Sequence, residues 1–284
     1  MGKKYIFVNL KRFDVPAETG GVNRIAPPGK WAEAIVSGVR AGLEQYRGRA
    51  AFTFFFPEAH VAQAAAAAKG TSLSVGCQGL HWEDLAEGGN FGAFTSLRPA
   101  AAMKALGCDS VIVGHCEERR ALAAVLAEAG AGGGAAAEAV NRILAREIAA
   151  ARARNLSVLY CIGEKAEEQE HWQDVLAAQI DAGLSAAADG GLCIGYEPVW
   201  AIGPGKTPPD RACIEKVARF VKEKAGGVPL VYGGGLKTDN AAMLASVPEI
   251  DGGLIALTRF SGEIGFYPAE YLEIVRLYLE APGR

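Results

Sequence analysis

Apolar residues along this chain gather in short blocks that recur at regular intervals. The blocks lie at 5–9, 51–56, 72–78, 110–114, 157–161, 192–196, 230–232 and 253–257. Several run without alternating polar positions, as parallel strands do when both faces are covered. Between them lie stretches rich in Ala, Leu, Glu and Arg, at 31–46, 58–68, 100–106, 141–154, 172–187, 210–225, 239–245 and 268–279. These are good helix formers. Asp210 and Asp239 predict N-caps or first-turn acids, and Pro268 suits a first helical turn. Eight alternating strand–helix units predict an α/β fold with a parallel sheet. That number favours a closed (β/α)8 barrel over an open, doubly wound sheet. Composition and charge do not shift along the chain, which predicts one domain over residues 1–284. Two Gly- and Ala-rich pieces, 88–92 and 128–138, read as flexible surface insertions.

The chain has 284 residues, half of them hydrophobic, with 29 Lys+Arg against 32 Asp+Glu. That much apolar material excludes disorder. The near-neutral balance argues against a nucleic-acid or membrane-surface partner, and no apolar block is long enough to cross a bilayer. The start, Met1-Gly2-Lys3-Lys4-Tyr5, predicts no signal peptide. Ile6 stands where a myristoylation signal needs Ser or Thr. The six cysteines form no C-x-x-C pair, so they predict reduced thiols in a cytoplasmic protein.

In a parallel barrel the reactive groups stand at the C-terminal ends of the strands. Here those ends carry Asn9 and Lys11, then His115 with Glu117, then Glu197 before a Gly-rich stretch. A carboxylate can take a proton from carbon, an imidazole can polarise a carbonyl, and an ammonium can balance enediolate charge. Gly-rich loops expose N–H groups to a phosphate. This chemistry needs neither a metal nor an organic cofactor. Each residue alone has an ordinary reading: Lys11 as a surface charge, His115 as a structural imidazole, Glu197 as an ion-pair partner. His60, His81 and His171 read as ordinary polar residues.

Val111-Ile-Val-Gly-His-Cys-Glu117 and Tyr196-Glu-Pro-Val-Trp-Ala-Ile-Gly-Pro-Gly-Lys-Thr207 resemble the triosephosphate isomerase family. Asn9-Leu-Lys11, Gly92-Ala-Phe-Thr95, Cys161-Ile-Gly-Glu164, Tyr232-Gly-Gly234 and Asp251-Gly252 extend the resemblance, in order, over nearly the whole chain. It implies a single (β/α)8 TIM barrel that interconverts glyceraldehyde 3-phosphate and dihydroxyacetone phosphate. Glu197 would be the base, His115 the neutral electrophile and Lys11 the charge-balancing lysine. Asn9 would order that site and Glu117 would be an acid near the lysine. Residues 198–207 would form a hinged lid, with Gly203 donating its N–H to phosphate and Trp200 packing at the hinge. The resemblance also implies a homodimer, with Thr95 at the tip of the loop that meets the neighbour.

Departures gather at the anion end. Gly235 stands where the family has a serine, and Ala256 and Leu257 stand where it has a Gly-Gly pair, so side chains there should obstruct close backbone approach. Arg259 follows and reads equally as a replacement anion ligand or as an ion-paired surface residue. Pro204 replaces a lid threonine and should stiffen the lid. Gly79 replaces an asparagine, Cys116 a serine, and Glu118 interrupts the usual Ser-Glu-Arg-Arg. The loops 13–30 and 80–91 are longer than usual. Two alternatives follow: the same chemistry on another short acidic sugar such as a tetrulose phosphate, or a barrel that only binds a ligand.

Overall fold

The computed structural model describes residues 2–187, 190–203 and 205–281. The strands are β1 (Lys4–Asn9), β2 (Ala50–Phe56), β3 (Leu73–Gln78), β4 (Ser110–Val113), β5 (Ser157–Ile162), β6 (Leu192–Tyr196), β7 (Leu230–Tyr232) and β8 (Gly252–Ile255). They follow one another in chain order round a closed parallel barrel. The helices are α1 (Pro28–Glu44), α2 (Glu58–Ala68), α3 (Ala100–Ala105), α4 (Cys116–Glu128), α5 (Gly133–Ala153), α6 (Trp172–Ala186), α7 (Arg211–Ala225), α8 (Ala241–Ala245) and α9 (Pro268–Leu279). No helix among the described residues is long and apolar enough to cross a membrane.

The chain divides into two compact units, each discontinuous in sequence. The first comprises Met1–Gln78, Leu106–Ser110 and Val231–Arg284. In it β1 pairs in parallel with β2 and β8, and β2 with β3. β2 shows why its sequence block does not alternate. Phe54 meets Tyr271 of α9 edge-on at 5.0 Å, and Phe56 meets Trp31 of α1 at 6.0 Å. Phe55 points to the other face and stacks on Phe7 at 5.8 Å. Both faces of the strand are therefore buried, and period-two polarity has no reason to appear. α1 buries Trp31, Ile35, Val36, Val39 and Leu43 along one stripe, and α9 starts with Pro268 in its first turn.

The second unit comprises Gly79–Ala105 and Val111–Leu230. β5 and β6 pair in parallel, with Cys161 beside Gly195. Asp210 caps α7, its side chain accepting from Cys213 N at 2.8 Å.

Three expectations need correction. The piece read as a flexible insertion at 128–138 ends α4 and starts α5. Its alanines are strong helix formers, and Ala136, Val140, Leu144, Ile148 and Ala151 bury one face of α5. Asp239 does not cap α8, which begins two residues later behind Asn240. β8 stops at Ile255, so Ala256 and Leu257 belong to the turn that follows. α4 was also missed. It buries no apolar side chain and so shows no apolar stripe to read.

Candidate active site

The second unit carries His115 and Glu197. Glu197 lies one residue past β6, and its N–H donates to Ile162 O at 2.8 Å. A Cβ on Gly163 would lie 1.9 Å from Glu197 O, so only glycine permits this approach. Glu197 is 2% exposed. Its Oε2 accepts from Cys116 N at 2.9 Å, and its Oε1 lies 3.2 Å from His115 Nε2. His115 caps α4: its Nδ1 accepts the backbone N–H of Glu117 at 3.2 Å. A ring nitrogen that accepts carries no proton, so the ring proton sits on Nε2 and points at Glu197. The positive end of α4 also disfavours an imidazolium there. The geometry therefore selects a neutral imidazole facing a buried carboxylate.

Around this pair lie carboxylates with work of their own. Glu118 Oε2 accepts from Gly114 N at 2.5 Å, which holds the residue just before His115. Glu118 also shares a hydrogen bond with Glu147 of α5. Burial pushes both carboxyls up, and the Glu118 charge adds to the effect on Glu147, raising it to about 9. The two therefore hold a proton between them at neutral pH. A Cβ on Gly79 would lie 2.9 Å from Glu118 Oε1, so the glycine at 79 makes room for the glutamate at 118. Further along, Glu164 Oε1 accepts from Tyr196 OH at 2.9 Å, Trp200 Nε1 at 2.8 Å and Gln169 Nε2 at 3.0 Å. Burial raises this carboxyl too, against the pull of those donors. Trp200 is thereby tied down where the stretch 198–207 leaves β6. Gly203 in that stretch is exposed. Pro204 lies outside the described residues.

The first unit carries Lys11 and the loops that follow β7 and β8. Lys11 takes a φ of 42°, unusual for a residue with a side chain. Asn9 Oδ1 accepts its N–H at 3.0 Å, and Gln78 Nε2 donates to its carbonyl at 3.1 Å. Gln78 Nε2 also reaches Asn9 Oδ1 at 3.3 Å and Phe55 O at 3.0 Å. These bonds offset the backbone strain and fix where Lys11 starts. After β7, Gly235 sits at a φ of 96°, and Asn240 Nδ2 donates to its carbonyl at 2.9 Å. After β8, Ala256 and Leu257 are half-buried. Arg259 donates to Glu270 Oε1 from Nε at 2.8 Å and from Nη2 at 2.5 Å, and stacks on Tyr267 at 4.0 Å. Thr258 Oγ1 donates to Glu270 Oε2 at 2.9 Å. Glu270 thus takes both residues that follow the β8 turn.

A model of the triosephosphate isomerase family matches residues 29–263. The chain belongs to the triosephosphate isomerase family. A triosephosphate isomerase of a Synechococcus strain is 32% identical over 231 residues, 80% of this chain and 81% of that protein. One from Thiobacillus denitrificans is 37% identical over 213 residues, 70% of this chain and 77% of that protein. The crystal structure of triosephosphate isomerase from Bartonella henselae superposes with a TM-score of 0.71 at 23% identity. It covers 97% of this chain and 99% of that one, a likeness of fold.

Among the residues that the triosephosphate isomerase resemblance singles out, His115 and Glu197 are in direct contact. Asn9 contacts Lys11. Glu117 is exposed, with its Oε2 3.7 Å from His115 Nδ1. Arg259 is in the ion pair that its second reading describes. His115, Cys116 and Glu197 bring a nitrogen, a sulfur and an oxygen within 4.8 Å of one another, close enough for three metal ligands. In the structure the nitrogen and oxygen serve each other. The cysteines are free thiols, and burial pushes those of Cys161 and Cys213 up, away from reactive thiolate.

Sequence reading gave no structural role to Glu118, Glu147, Glu164, Gln78 or His60. His60 is buried, with Nε2 3.2 Å from Asp14 Oδ2 and its ring 5.1 Å from Trp31. Asp14 also takes Arg12 in a two-bond fork. Burial works to raise the Asp14 carboxyl, but the bonds from Arg12 and His60 outweigh it and hold it low. This cluster ties down the start of the long first loop. No local motif announces it, because Asp14 and His60 are 46 residues apart.

Proposed function

We propose that this protein interconverts glyceraldehyde 3-phosphate and dihydroxyacetone phosphate as a triosephosphate isomerase. The observation that carries this reading is the 3.2 Å contact between Glu197 Oε1 and His115 Nε2, with Nδ1 committed to Glu117 N. When a substrate enters between them, the Glu197 carboxylate takes a proton from the carbon beside the carbonyl. The electron pair left on carbon moves to the carbonyl oxygen, where His115 Nε2–H donates. The imidazole then passes a proton between the two oxygens of the enediol. Glu197 returns its proton to the neighbouring carbon, so no atom is gained or lost. Lys11 balances the enediolate charge and Asn9 orders Lys11. Glu117, next to His115, biases the charge at that helix end.

The backbone N–H groups of Gly203, Gly235, Ala256 and Leu257 face the phosphate in this reading. Arg259 acts through Glu270, holding the β8 turn in shape. Residues 198–207 close over the intermediate and exclude water. No metal or organic cofactor enters these steps. The eight strands form one ring, which supports a single working domain over 1–284. Exposed Leu85, Phe91 and Leu97 flank the loop that ends at Thr95, which supports a homodimer. The free thiols support a cytoplasmic location.

A coupled assay with glyceraldehyde 3-phosphate tests the reading, together with exchange of the substrate's carbon-bound hydrogen with solvent. Fast turnover with exchange is the expected result. Exchange confined to a tetrulose phosphate would move the assignment to a four-carbon substrate, which the side chains at 256 and 257 favour. No exchange with either sugar would leave only a ligand-binding barrel.

A further inference from the structure

The turn after β7 holds a cation outside the motifs. The Cε of Lys237 lies 3.5 Å from where a Cβ would stand on Gly235. Its methylene chain therefore runs beside the space that a serine side chain would take there. The origin of that chain is fixed: Lys237 N donates to Asn240 Oδ1 at 2.8 Å, and Asn240 Nδ2 closes the turn on Gly235 O. The Lys237 Nζ lies 4.2 Å from the centre of the Phe260 ring, in the loop after β8. Phe260 is 50% exposed, so its ring is not buried core. No ion pair among the described residues includes Lys237. Arg259, the other cation in these loops, is spent on Glu270 and Tyr267.

We infer that Lys237 is the specificity-determining cation of the anion site, its ammonium gripping the substrate's phosphate in place of the hydroxyl missing at Gly235. Phe260 is the rest position of that ammonium. The electron-rich face of the ring holds a cation weakly enough for an anion to take it over. The chemical class recognised is a phosphate monoester dianion. The identity of its sugar rests on the isomerase reading; the anion site does not. An ammonium is a compact point charge with three donors, whereas a hydroxyl is neutral. The grip on phosphate is accordingly less directional and more sensitive to salt than a hydroxyl contact.

Calorimetric titration with inorganic phosphate, at low and high ionic strength, tests the assignment on the full chain. Lys237→Met should weaken phosphate binding roughly ten- to a hundredfold and flatten its salt dependence. Lys237→Arg should retain most of the affinity, and Phe260→Ala should have a smaller effect than Lys237→Met. In steady-state assays Lys237→Met should raise KM far more than it lowers kcat. Equal phosphate affinity in wild type and Lys237→Met, with unchanged circular dichroism, would overturn the assignment. Lys237-dependent phosphate binding without turnover of any sugar phosphate would leave the anion site standing and remove the isomerase reading. Fast turnover with KM unmoved by Lys237→Met would do the reverse.

Discussion

His115 and Glu197 in the second unit and the loops after β7 and β8 in the first obey different rules. His115 and Glu197 meet each other side chain to side chain, but backbone groups fix their outer atoms: Ile162 O, Cys116 N, Glu117 N and the bare Cα of Gly163. Proton transfer from carbon needs atoms within a fraction of an ångström, and only main chain gives that precision cheaply. In the proposed reading the loops after β7 and β8 need only a positive field, which an ammonium can meet as well as an ordered hydroxyl. The first region therefore keeps a readable motif. The second has replaced its residues.

The largest effects should come from breaking the ordered side of this contrast. Glu197→Gln removes the base and should lower kcat by roughly 10²–10⁴-fold, with the thermal midpoint little changed. Gly163→Ala places a methyl against Glu197 O, so the carboxylate must move. We expect a loss of about 1–3 kcal/mol of stability and a fall in kcat of about a hundredfold, read by denaturant titration and by assay. A variant with wild-type kcat would show that the backbone there is not the precise element.

The Glu118–Glu147 pair sharpens the comparison through pH. Burial and the neighbouring Glu118 charge push the native Glu147 carboxyl up to about 9, whereas an unfolded, solvated one loses its proton near 4.5. Between those values the native state holds a proton that the unfolded state has lost. Stability therefore falls as pH rises through that window. Glu147→Gln should remove this loss, gaining at least about 1 kcal/mol at pH 9 relative to pH 5. Thermal midpoints measured across that range would show it, and parallel curves for both proteins would refute it. The smallest effect belongs to Arg259→Ala. Its charge is already spent on Glu270, so KM should rise by less than about threefold. A rise equal to that of Lys237→Met would make Arg259 the anion's direct partner.

The fold and the His115–Glu197 contact were legible for related reasons. Unalternating blocks such as 51–56 follow from strands covered on both faces, as the opposed contacts of Phe54 and Phe55 show. His115 and Glu197 sit in contiguous motifs because their geometry is made by the adjacent main chain. What stayed hidden lacks a local signature. α4 buries no stripe, and α5 looked like a linker because its glycines stand beside its alanines. Gly79 and Glu118 read as two separate departures, but in space they are one exchange of volume. Lys237 read as nothing at all, since its meaning depends on a ring 23 positions away.

The sequence alone determined the order of elements, the barrel class and the motifs that carry His115 and Glu197. Each of these is encoded within a run of neighbours, by periodicity or by a turn. Tertiary structure alone decided which ring nitrogen of His115 carries the proton and which carboxylates share one. It also decided that Arg259 is held by Glu270 while Lys237, among the described residues, is in no ion pair. Those properties depend on desolvation and on distances between residues far apart in the chain, and a linear pattern carries neither.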